Sequence, residues 1–326
     1  MDKRKIKTYG NIIQIIIAAC IFFILFSKID AGSFAHIART LHIPYFSLAL
    51  FLTGAGVFLS AYKWRLLLQS MDIAISYAHA TKLYFIGGFF NCFLPTTVGG
   101  DIIKIASLKK DAKSLERIIS ATFMDRFSGI IAVAMLLFFA NFLHQGFLKN
   151  NPSVAFLSAS IIMIVALACA VLFYRPLAKT TVSLIVCALP RAHRNNIKQH
   201  ANNFFDSLRL CAGRTQTFFA ALGISAAFHL LTVAIFYFLG RAVGMESTFA
   251  YALLFTPLIL CITMIPNSFH GIGLQEGIAY FLFSRIGTEV EKIILFSFLI
   301  HGVVFIVYFF GGILYIFDRI KSIRTQ

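Results

Sequence analysis

Six stretches of the chain are apolar over the length a bilayer requires: Asn11–Ser27, Ile43–Tyr62, Ile118–Leu143, Val154–Tyr174, Thr217–Leu239 and Lys292–Phe317. A helical span needs about 20 mostly apolar residues. In lipid, every backbone N–H and C=O must be satisfied within the protein, so such runs fold as helices. This predicts an all-α, polytopic integral membrane helical bundle, a single transmembrane domain over residues 1–326. Composition agrees. The chain is 59% hydrophobic and 13% charged, with mean hydropathy +0.83, whereas a soluble domain is about 25% charged. No small-x-small cleavage site closes the first run, which therefore reads as an uncleaved helix and not as a signal peptide. Leu177–Leu189 is apolar but short, and reads as an interfacial or partly buried helix.

Two further apolar runs are interrupted. Lys82–Val98 breaks at Pro95, and Gly99, Gly100 and Asp101 follow. Phe249–Ile265 breaks at Pro266, followed by His270, Gly271, Gly273 and Glu276. Proline removes a helical hydrogen bond and glycine bares the backbone. A matched pair of such breaks, one in each half, points to a transporter binding site. A plain kink at a membrane boundary is the simpler alternative for either break taken alone.

Charge decides how these runs are threaded. Lys and Arg concentrate on the cytoplasmic side of membrane proteins. If every run simply crossed, the amphipathic stretch Asp101–Arg117, with five basic residues, would lie outside. If Lys82–Val98 instead dips in and returns, that stretch stays inside. The basic Tyr174–Arg214 stretch and Arg319, Lys321 and Arg324 are also inside if Phe249–Arg285 is a hairpin from the outer face. The expected topology is six spans with two re-entrant hairpins entering from opposite faces, as in an inverted repeat. Its pseudo-halves are about 1–150 and 154–326, its cytosolic linker is about 190–214, and both termini are cytoplasmic. The net charge of +16 is thereby accounted for by topology, and no compact basic domain exists to bind nucleic acid.

The charges placed in or beside the membrane are Asp101, Lys104, Asp125, Arg126 and Glu276. Such charges cost at least about 2.5–3.5 kcal/mol each on insertion scales and usually face the bundle interior. One reading has Arg126 and Lys104 holding a phosphate or other anionic headgroup, with Asp101 and Glu276 gating, contacting a cationic group or relaying protons. The other has them as structural salt bridges, Asp101–Arg126 or Glu276–Arg126. Asn91 either lines the cavity or hydrogen-bonds across helices. His229 and His301 are candidate proton relays or plain satisfied histidines, with His270 the better functional candidate. Lys63-Trp64-Arg65 reads as an interfacial anchor. Five of the six cysteines lie in apolar runs and none shows CxxC spacing, so neither a zinc site nor a disulfide framework is expected. No HExxH, GxSxG, P-loop or DxD-type pair is present, and neither a cofactor nor a catalytic residue is expected.

The pattern Asn91, Leu94, Pro95, Gly99, Gly100, Asp101, then Asp125, Arg126, Gly129, and later Pro266, Gly271, Ile272, Gly273, Glu276 resembles the flippase-like family. That family includes the transmembrane region of bacterial lysylphosphatidylglycerol synthases and many stand-alone proteins. The resemblance implies an inner-membrane protein that moves a polar-headed lipid between leaflets. Candidate cargoes are an aminoacyl-phospholipid, a polyprenyl-phosphate sugar or a hopanoid-type lipid. In the full-length synthases the enzymatic step belongs to a separate soluble aminoacyltransferase domain. The chain up to Gln326 shows no such domain, so enzymatic activity is not expected. Lys104 stands where the family often has Arg, and Gln275 where a basic residue often precedes the glutamate. Expected partners are membrane lipids, a lipid-synthesising enzyme and a second copy of the chain. The alternative functions are a membrane-embedded lipid-modifying transferase or an accessory subunit of an envelope-lipid pathway.

Overall fold

A computed structural model describes residues 31–93, 99–108, 115–174, 180, 205–206, 213–264 and 273–324. The predicted first span Asn11–Ser27 lies outside them, as do Pro95, Pro266, His270, Gly271 and most of the expected linker 190–214. The elements among the described residues are helices: α1 (Ala31–Arg39), α2 (Ile43–Gln69), α3 (Tyr77–Phe93), α4 (Gly99–Leu108), α5 (Leu115–Leu143), α6 (Gln145–Asn150), α7 (Pro152–Phe173), α8 (Thr215–Ala242), α9 (Phe249–Thr263), α10 (Leu274–Phe283), a 3₁₀ turn (Ser284–Ile286) and α11 (Val290–Arg324). Five of these, α2, α5, α7, α8 and α11, are long and apolar enough to cross a membrane. They coincide with five of the six spans expected from the sequence. The helix α2 runs on to Gln69 where the apolar pattern ends at Tyr62. Its 27 residues, at about 1.5 Å each, outreach a hydrocarbon core of about 30 Å.

Large apolar side chains remain uncovered along the spans, including Phe138, Phe139 and Phe142 on α5 and Phe156, Met163 and Leu167 on α7. In water such patches would drive association; in a bilayer they meet acyl chains. The chain is an integral membrane protein.

The described residues fall into two compact units. The first comprises those of Met1–Phe58, Lys82–Ile102 and Leu230–Gln326. Within it α3 and α11 run antiparallel and approach closely through glycine. A Cβ at Gly311 would lie 1.9 Å from the Phe85 carbonyl oxygen, one at Gly88 2.0 Å from the Tyr308 ring and one at Gly312 2.6 Å from the Phe89 ring. Membrane helices associate largely through such close packing, because lipid supplies no hydrophobic drive between them. The same helix pair is stitched by Phe90 against Tyr315, with ring centroids 5.0 Å apart, and by the Lys82–Asp318 ion pair at 2.6 Å. Helices α9 and α10 form an antiparallel pair around the second break, with Phe255 edge-on to Phe283 at 5.1 Å. Phe283 in turn packs on Phe296 of α11, and Phe296 on Phe236 of α8.

The second unit comprises the described residues of Leu59–Thr81 and Ile103–His229. Here α5 and α7 are joined by the short α6, and Ser158 donates to Asn141 Oδ1 at 2.8 Å. Pro152 opens α7, where the missing N–H costs nothing. At one end Asp72 accepts from both Arg117 and Arg214, at 3.1 and 3.3 Å.

Candidate functional site

The first break is built on close backbone approach. Gly99 and Gly100 are buried at the start of α4. The Gly100 N–H donates to Asn91 Oδ1 at 2.6 Å, so Asn91 serves as a side-chain cap for a helix start that lacks backbone partners. A Cβ at Gly100 would lie 2.1 Å from the Gly87 carbonyl oxygen. Only glycine lets α4 fold back onto α3 this closely. Asp101 follows in the first turn of α4 and is 5% exposed, where the positive end of the helix dipole favours a carboxylate.

In the second unit, Asp125 gathers two lysines. Lys63 Nζ lies 3.0 Å from Asp125 Oδ1 and also donates to the Asp125 carbonyl oxygen at 2.7 Å and to Ser225 Oγ at 3.0 Å. Lys104 Nζ lies 4.0 Å from Asp125 Oδ2 and 5.0 Å from the centre of the Trp64 ring, a cation–π contact. All three charged groups are buried. Ser128 bridges the Asp125 carbonyl and Ser225, at 3.1 Å each. His229, one turn beyond Ser225 on α8, is buried with Nδ1 lacking a hydrogen-bond partner among the described residues. Its Nε2 lies 3.4 Å from where a Cβ of residue 129 would stand, so Gly129 makes room for the ring.

Three sequence expectations take a definite form here. Trp64 is fully buried and donates to Thr122 Oγ1 at 3.1 Å; with Lys63 it belongs to the charged cluster and is not an interfacial anchor. Arg126, next to Asp125, is exposed on α5, about 16 Å along the helix from its start at ~1.5 Å per residue. Asp125, in the adjacent position, faces the protein interior while Arg126 does not.

The second break places Gly273 at φ 89°, a conformation glycine adopts without strain. The Gly273 N–H donates to Glu276 Oε2 at 2.7 Å, and Glu276 Oε1 lies 3.1 Å from His301 Nε2 on α11. Glu276 is 1% exposed. Gln275 Nε2 donates to the Ser297 carbonyl at 3.4 Å, fixing α10 against α11 one turn from the pair. The partner of Glu276 is thus a histidine 25 residues along the chain.

Sequence reasoning passed over Ser128 and Ser225, read Lys63 as part of an interfacial anchor and left His301 without its partner. One signal was present. Ser225 and His229 are polar residues four apart in an otherwise apolar run, and that spacing puts them on one helix face. No comparable signal links Lys63 to Asp125.

The fold and these buried charges define an all-α polytopic membrane protein with ionisable side chains held inside its helix packing. The chain belongs to the family described as the lysylphosphatidylglycerol synthase TM region, whose sequence profile matches residues 11–312. No curated protein matches the chain. The family ties the protein to lipid modification or transport in a membrane.

Proposed function

We propose that the protein is a lipid transporter of the bacterial inner membrane. It moves a polar-headed lipid between leaflets and has both termini in the cytoplasm. The observation that carries this reading is the cluster of Lys63, Lys104 and Asp125, three charges buried together in a protein of membrane-spanning helices. Intramembrane charges are costly and mark substrate or ion pathways. Arg126 is exposed beside the cluster and makes first contact with a phosphate or carboxylate of the headgroup. Lys104 takes over as the headgroup advances, and Asp125 keeps the lysine paired when no headgroup is there. Asp101 and Glu276 engage cationic groups or gate the two breaks. The acyl chains stay in lipid throughout. Cargo is an aminoacyl-phospholipid, a polyprenyl-phosphate sugar or a hopanoid-type lipid; no chemical change of the lipid is involved.

The test is competition between cargoes. Purified protein in proteoliposomes is given a headgroup-labelled anionic lipid together with unlabelled lipids of each class. Movement slowed by one class and reduced in Arg126→Gln and Lys104→Gln supports the reading. Chemical conversion of the lipid would replace it with the transferase reading. Absence of movement for every class would replace it with the accessory-subunit reading.

A further inference from the structure

The pair formed by Glu276 and His301 has the chemistry of a proton site. Glu276 Oε2 accepts from the Gly273 N–H at 2.7 Å, and Oε1 lies at hydrogen-bond distance, 3.1 Å, from His301 Nε2. With Glu276 ionised the carboxylate can only accept, Nε2 then carries the hydrogen, and Nδ1 is where the ring gains or loses a proton. With Nδ1 bare the pair carries one negative charge. With Nδ1 protonated it is neutral. Histidine is the side chain whose charge ordinarily changes between about pH 5 and 8, and a net charge in a membrane-spanning helix packing is costly.

The elements packed around this pair carry other titratable groups: α1, packed on α11, has His36 and Arg39, α8, which meets α11 through Phe236 and Phe296, has Tyr237 and Arg241, and α3 has Lys82, Tyr84 and Cys92. Helix α9, packed on α10, contributes no Asp, Glu, Lys, Arg or His; its titratable side chains are Tyr251 and Cys261. On α11, Glu291 and Lys292 stand at the helix start and Arg319, Lys321 and Arg324 at its end, Asp318 pairs with Lys82, and Tyr308 and Tyr315 pack against α3. The 3₁₀ turn brings Arg285, which binds the Phe281 carbonyl and ring. Tyr280 is the remaining titratable group on α10. The Glu276 side chain is 1% exposed and that of His301 19%, so the ring is the less buried member of the pair.

We propose that Glu276 and His301 form a proton-binding site whose occupancy sets how firmly Glu276 caps the first turn of α10. The carboxylate that answers the ring also holds the Gly273 N–H at the break between α9 and α10. A proton on the ring draws the carboxylate toward α11 and loosens that cap; loss of the proton restores it. As the coupling ion for lipid movement, the proton rests on the transporter reading. As a local site, it does not.

The test is hydrogen exchange of the full-length protein in nanodiscs, following peptides within residues 273–283 between about pH 5 and 8, corrected for the chemical exchange rate. Wild-type protection of the first turn of α10 should fall severalfold from the upper to the lower end of that range. In Glu276→Gln, which retains an acceptor for the cap, and in His301→Gln, protection should be independent of pH. Protection of α2 serves as the folding control in each protein. Wild-type protection that does not change with pH would overturn the proposal, as would a pH response that persists undiminished in both variants. Exchange requires no lipid movement, so failure here and failure of the transporter reading are separate results.

Discussion

Asp125→Asn is the substitution whose cost the geometry fixes best. It keeps the size of the side chain and removes a carboxylate that Lys63 and Lys104 share. With an effective dielectric of about 20, unit charges at the observed 3.0 and 4.0 Å attract by ~5.5 and ~4 kcal/mol. Most of that attraction offsets the desolvation of the three groups, and removing one partner of a buried pair costs about 3–5 kcal/mol net. Lys63 keeps its bonds to the Asp125 carbonyl and Ser225, which holds the loss within that range. The assay is reversible unfolding in mixed micelles of the wild type, Asp125→Asn, Lys63→Met and the double variant. The double variant should recover at least about 1 kcal/mol relative to the sum of the singles, since contacting charges couple by about 0.5–3 kcal/mol. A loss below about 1 kcal/mol for Asp125→Asn, or additivity within about 0.5 kcal/mol, would refute the claim that the cluster is a coupled ion group.

Gly311→Ala should destabilise the protein by about 1–3 kcal/mol or force α3 and α11 apart, because its Cβ would meet the Phe85 main-chain oxygen at 1.9 Å and main chain cannot rotate away. Gly223→Ala, with nothing within 4 Å of its Cβ, should be neutral or stabilising by up to about 1 kcal/mol; thermal denaturation of the two in one detergent makes the comparison. Gly273→Ala should cost about 1–2 kcal/mol in the same assay, since φ 89° strains any residue with a Cβ. Lys82→Ala should cost under about 1 kcal/mol, because its ion pair with Asp318 is a third or more exposed on both sides.

Much of the architecture is readable from periodicity alone. Membrane-length apolar runs become α2, α5, α7, α8 and α11 because lipid leaves the backbone no other way to satisfy its hydrogen bonds. The end of α2 is not readable that way. Lys63 and Arg65 end the apolar pattern, yet the helix continues, because Lys63 finds Asp125 inside the protein and Arg65 donates to the Ile75 carbonyl. The charged residues of the site are equally visible as exceptions to apolar runs. Their partners are not, since Lys63 and Asp125, or Glu276 and His301, meet only through helix packing. The same holds for glycine: Gly100 stands out beside Pro95, whereas Gly88 and Gly311 acquire meaning only when α3 and α11 are seen to touch through them.

The most direct measurement of the central claim is translocation itself. Vesicles carrying a fluorescent headgroup-labelled lipid in both leaflets are treated with a membrane-impermeant quencher, with and without the purified protein. If the protein moves polar-headed lipids, quenching proceeds beyond the outer-leaflet half in wild-type vesicles and stops near half with Arg126→Gln, once thermal denaturation has shown that this variant is folded like the wild type. Quenching that stops at half for wild-type protein with every headgroup class would contradict the account.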